Sequence, residues 1–87
     1  YIVTNTHVIN NAEKIDILLA SGEKISGELV GSDTYSDIAV IKISADKVTT
    51  VAEFADSDTI KVGETAIAIG SPLGSVYANT VTQGIIS

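Results

Sequence analysis

The run Asp37-Ile38-Ala39-Val40-Ile41-Lys42-Ile43 carries four β-branched residues in seven. Branched side chains lose rotamers in a helix and fit a pleated surface, so the run reads as a strand. Ile38 to Ile41 are consecutively apolar, and alternate side chains of a strand point to opposite faces. Both faces are therefore expected to be covered, which makes this the central strand of a sheet. Just upstream, Gly31 to Ser36 reads as a polar loop, and Lys24 to Val30 as a partner strand with Ile25, Gly27 and Leu29 on one face. Gly27 inside that strand suggests a bulge or a close backbone approach. Lys14-Ile15-Asp16-Ile17 alternates polar and apolar, the pattern of a half-buried strand, and Ser21-Gly22-Glu23 is a connection of hairpin length.

The remaining chain follows the same pattern. Tyr1 to Thr4 is a short strand, Asn5-Thr6-His7 a polar turn, and the paired Asn10 and Asn11 mark a second turn because asparagine tolerates left-handed backbone. Residues 44 to 63 are irregular, with turns at Ala55 to Asp58 and at Lys61 to Glu64. In the strand Thr65 to Ile69, large Ile67 and Ile69 alternate with small Ala66 and Ala68, which suits the taper of a small closed barrel. Gly70 to Gly74 is a loop rich in breakers, and Asn79 to Ile86 a last strand. Ile, Val and Thr make up 31 of the 87 residues, and helix signals are weak throughout. The expected fold is all-β, antiparallel and barrel-like.

Composition excludes several classes of function. Five lysines, no arginine and eleven carboxylates give a net charge of −6, so the basic footprint of a nucleic-acid binder is missing. No apolar run exceeds four residues, far short of the ~20 that span a bilayer. The absence of cysteine removes disulfide scaffolds, zinc fingers and thiol catalysis. The chain opens at Tyr1 directly in a strand, without a signal or transit pattern, and closes inside another, so both ends read as cut.

Chemistry centres on two residues. His7 is the only histidine and follows an apolar strand; Asp37 opens the strongest strand, where a carboxylate is expensive without a partner. An aspartate bonded to an imidazole fixes its tautomer and stabilises imidazolium, as a general base for a hydroxyl nucleophile requires. Histidine first and aspartate thirty residues later agrees with the chymotrypsin-like order His…Asp…Ser.

The surrounding motifs sharpen this. Tyr1-Ile2-Val3-Thr4-Asn5-Thr6-His7-Val8 resembles the strand-to-histidine motif of HtrA/Deg trypsin-like serine proteases. Ser36 to Ile43 resembles that family's catalytic-aspartate strand, Asp58 through Gly74 its next segment, and Val81 to Ser87 the strand that follows. The resemblance runs end to end. It implies two six-stranded barrels with the active site in the cleft between them. Residues 1–45 would supply the first barrel without its first two strands, 46–63 the crossing, and 64–87 the first hairpin of the second. It further implies His7 as general base, Asp37 as its orienter, and unfolded or misfolded proteins as substrates of an ATP-independent endopeptidase in protein quality control. PDZ domains, trimer-based homo-oligomers and an extracytoplasmic, bacterial location come with the same resemblance.

One element departs from the pattern. The family's nucleophile sits in Gly-Asn-Ser-Gly-Gly, and none of the nine serines has that surround. Ser71 follows a glycine but precedes Pro72, which has no N–H to give an oxyanion hole. The nucleophile is therefore expected downstream of Ser87, and these residues alone are expected to be inactive. The alternative is a non-catalytic module that holds unfolded segments without cutting them. No cofactor is expected. Asp33 with Asp37, and Asp56-Ser57-Asp58, lack the further oxygen ligands of a calcium loop, and Gly70 to Gly74 lacks the lysine of a phosphate loop.

Overall fold

A computed structural model describes residues 1–10, 12–71, 74 and 79–87. The chain divides into two compact units, Tyr1–Val51 and Ala52–Ser87. The first unit is a four-stranded antiparallel sheet of β1 (Ile2–Thr4), β2 (Ile15–Leu18), β3 (Lys24–Asp33) and β4 (Ile38–Lys42), in the order β1-β4-β3-β2. The run that begins at Asp37 thus forms an interior strand, as its composition predicts. Only one of its faces is buried: Ala39 and Ile41 are closed off, while Ile38 on the other face is 48% exposed. The sheet curls into a half-barrel, with Ala39 and Ile41 on its buried face and Val40, on the other, half-buried. Ile15 and Ile17 of β2 turn half-buried toward the buried face, and Asp16 and Leu18 face solvent.

The β2–β3 hairpin closes through Gly22, whose φ of 90° suits a residue without Cβ. Gly22 N–H donates to the Leu19 carbonyl at 2.9 Å, and Leu19 N–H to Glu23 at 2.9 Å. The next strand is longer than its composition suggested. β3 pairs with β2 through its first residues, Gly27 opposite Ile15, and with β4 through its last, Asp33 opposite Ile38. Gly31 to Asp33, expected as loop, are therefore strand, because β4 supplies their partners. Register slips between Leu29↔Ile41 and Gly31↔Val40, which makes Val30 the extra residue of a bulge. Gly27 serves the close approach instead: a Cβ there would stand 2.6 Å from Cγ2 of Ile41.

A single helical turn, α1 (Thr6–Ile9), replaces the turn expected after β1. It ends at Asn10, in the left-handed region at φ 36°; Asn11 lies outside the described residues. In the second unit, β5 (Thr65–Gly70) pairs antiparallel with β6 (Thr80–Ile85), from Thr65↔Ile85 to Gly70↔Thr80. The irregular stretch ahead of β5 contains a short 3₁₀ turn, Ser57–Thr59, whose entry Asp56 accepts from Asp58 N–H at 3.0 Å. Pro72 and Leu73 of the expected 70–74 loop lie outside the described residues. No helix among the described residues is long and apolar enough to cross a membrane.

Candidate active site

Strand register brings the candidate residues together. β1 runs against β4 as Ile2↔Ile41, Val3↔Val40 and Thr4↔Ala39. The chain leaving β1 and the chain entering β4 are thus neighbours at one end of the sheet. Beyond the ladder, Thr6 N–H still reaches the Asp37 carbonyl at 3.3 Å. His7, in α1, and Asp37 meet there across thirty positions of sequence.

Asp37 stands one residue ahead of β4, with φ 56°. Aspartate is among the few residues that adopt left-handed backbone without a heavy penalty. Its side chain is 40% exposed, which corrects the expectation that a buried strand forces the pairing: local geometry imposes it. Oδ1 accepts the His7 backbone N–H at 2.9 Å, and Oδ2 lies 2.5 Å from Nδ1 of the ring. One histidine therefore occupies both oxygens of one carboxylate. An ionised carboxylate only accepts, so Nδ1 carries the hydrogen and the lone pair of a neutral ring is left on Nε2.

These bonds hold the Asp37 carboxyl below its ordinary range. The His7 backbone N–H contributes most and the His7 ring bond next; partial desolvation opposes them, and the charge of the ring adds to the lowering. At neutral pH the group is a carboxylate, the state in which it can stabilise an imidazolium.

Three further residues fasten this corner: Asn5 and Thr6, to which the sequence assigns no role, and Asp33, weighed there only as a calcium ligand. Asn5 Nδ2 donates to the Asp37 carbonyl at 2.8 Å. The Thr6 hydroxyl lies between two carbonyls, 3.0 Å from Asp33 and 2.9 Å from Ile38. The Asp33 carboxylate accepts Tyr35 N–H at 3.0 Å and the Ser36 hydroxyl at 3.1 Å. That is a local turn of the kind short polar side chains make, and an Asp followed by Thr-Tyr-Ser was its available signal. Nothing local to residues 5 and 6 announces a bond made across the sheet. Among the described residues no group of three or more His, Cys, Asp or Glu could hold a metal.

A cavity of about 210 Å³ opens beside the pair, lined by Thr6, His7, Asn10, Thr34 and Asp37. A larger one of about 290 Å³, lined mainly by Ile2, Ile9, Ile15, Ile17 and Ile41, is the concave interior of the sheet. The smaller is the one that the hydrogen-bonded His7–Asp37 pair lines. A base with an oriented ring and a paired carboxylate can accept a proton from a hydroxyl and return it to a leaving group.

The trypsin-like peptidase domain matches residues 1–87. The serine protease Do-like HtrA of Lactococcus lactis subsp. cremoris is 55% identical over 87 residues, 100% of this chain and 21% of the relative. The periplasmic serine endoprotease DegP of Escherichia coli K12 is 46% identical over 87 residues, 100% of this chain and 18% of the relative. Among solved structures, the serine endoprotease from Yersinia pestis superposes with a TM-score of 0.83 at 42% identity, over 98% of this chain and 30% of that one. The chain spans about a fifth of the length of these two relatives.

Proposed function

Since the chain belongs to the trypsin-like peptidase family and matches its HtrA/Deg members along its whole length, we propose that it carries the base and the orienting acid of a serine endopeptidase. The observation behind this reading is the two-point engagement of Asp37 by His7. A serine supplied by sequence beyond Ser87 attacks the peptide carbonyl carbon, and its proton passes to Nε2 of His7. Asp37 holds the Nδ1–H and stabilises the imidazolium that forms. The same proton then goes to the leaving amine as the acyl–enzyme is made, and water repeats the cycle with His7 again as base.

In this reading residues 1–45 belong to a first barrel, 46–63 to a crossing and 64–87 to the start of a second barrel. The whole protein acts without ATP on unfolded or misfolded polypeptides outside the cytoplasm, as a homo-oligomer that also bears a PDZ domain. The 87 residues by themselves hydrolyse nothing, for want of a nucleophile. A module that only held unfolded chains has no use for an imidazole locked in one tautomer, which is why the enzyme reading is preferred.

The test is casein hydrolysis by the full-length protein and its His7→Ala variant. Loss of the base is expected to lower kcat by about 10⁴- to 10⁶-fold. Turnover within tenfold of the parent protein would remove His7 from the mechanism.

A further inference from the structure

We propose that Asn5 is a positioning residue for the His7–Asp37 pair, acting through the main-chain carbonyl of Asp37; this rests on the reading of that pair given above. Asn5 occupies the N-cap position of α1, with extended backbone at φ −93° and ψ 147°. Asparagine is favoured there because its side-chain oxygen accepts a free N–H of the first turn. Here no such bond is made. The side chain is turned to the other strand, and its amide donates to the Asp37 carbonyl at 2.8 Å.

That carbonyl matters because of where it sits. Asp37 is the left-handed residue just ahead of β4, and its carbonyl and its side chain leave the chain on adjacent backbone atoms, so a bond that holds the carbonyl steadies the Cα from which the carboxylate projects. The Thr6 backbone N–H also donates to that carbonyl, at the longer distance of 3.3 Å. Asn5 therefore makes the shorter of the two bonds that tie the Asp37 peptide to the segment carrying His7. Ser, Thr or Asp would cap a helix equally well, but among these residue types only asparagine brings an N–H₂ group at that reach. The choice of side chain fits the distant carbonyl and not the helix end.

Loss of the bond leaves the Asp37 carbonyl with the longer Thr6 bond, so the main chain behind the carboxylate is held less firmly and the two His7 bonds alone must keep it aligned with Nδ1. Misplacements of about 1 Å near a reacting centre cost up to about 100-fold. In the full-length protein, Asn5→Ala and the isosteric Asn5→Asp, which has no N–H to give, are each expected to lower kcat roughly ten- to a hundredfold with KM within twofold. Asn5 is exposed, so both variants are expected to melt close to the parent protein. The low-field NMR signal of the His7 Nδ1 proton is expected to broaden or move upfield in both.

Unchanged kcat and an unchanged proton signal in Asn5→Asp would overturn the assignment, as would a loss matched by an equal fall in folded fraction. His7→Ala run alongside separates the two claims. An inactive His7→Ala with a fully active Asn5→Asp removes only the role of Asn5. A fully active His7→Ala removes the mechanism itself, and the proton signal then decides the positioning claim.

Discussion

His7 presents two donors to Asp37, one from its backbone and one from its ring, and this doubles the constraint on a half-exposed carboxylate. Asp37→Asn keeps the shape but replaces one acceptor with an N–H₂ group, which favours the wrong histidine tautomer. In the full-length protein it is expected to lower kcat about 10⁴-fold with little change in KM, read by casein or peptide hydrolysis. Stability should respond as well. The folded-state pKa of Asp37 lies below its ordinary value, so the unfolded chain takes up a proton first as pH falls. The stabilisation from its pairing is complete above the unfolded value of about 3.9 and fades as pH drops through the folded value. Urea unfolding of parent and Asp37→Asn proteins should therefore differ at about pH 6, and the gap should close as pH falls through the folded value. A gap that widened toward acid would contradict the assigned hydrogen bonds. The pair itself was legible in sequence because a sole histidine and an aspartate stood in two recognisable strand contexts. Asn5 and Thr6 were not, since their bonds to residues 33, 37 and 38 exist only once β1 and β4 adopt their register.

At the scale of elements, strands were readable wherever branched residues alternated or ran together, as in β2 and β4. The single turn of α1 is four residues long, too short to show a 3.6-residue period. The bulge fell at Val30 because β3 changes partner from β2 to β4 there, a tertiary cause that no local propensity reports. Gly27 marks a point of close approach in that curled sheet. A Cβ at 2.6 Å from the branched methyl of Ile41 cannot be cleared by rotating a flexible tip, because Ile41 is 2% exposed. Gly27→Ala is expected to cost about 1–3 kcal/mol of overpacking. Ile41→Ala alone opens a cavity at a cost of about 2–5 kcal/mol. In the double variant the new methyl enters space that Ile41 vacated, so its loss in urea unfolding should be smaller than the sum of the two. Strict additivity would mean that the two side chains do not share this space.

On the scale of the molecule, the two units are built to unequal depth. The four-stranded sheet closes off Ala39 and Ile41, whereas Ile67, Ile69, Val81 and Ile85 of the β5–β6 hairpin are 60–70% exposed. A two-stranded hairpin is marginal in water without a third strand or a covering layer, and it gains little from the hydrophobic effect while its large side chains stay wet. The pair His7–Asp37 lies wholly within the deeper unit, Tyr1–Val51. Local stability is therefore expected to fall steeply between the units when the 87 residues are studied alone. Amide exchange should be slowest in β4 and its partners in β3, and should approach unfolded rates in β5 and β6. In the full-length protein the hairpin amides should gain protection, because the proposed second barrel covers the Ile67 and Ile69 face. Equal protection of both units in the isolated 87 residues would show that the hairpin is stable without such cover, and would remove the physical ground for reading residues 64–87 as the start of a larger barrel.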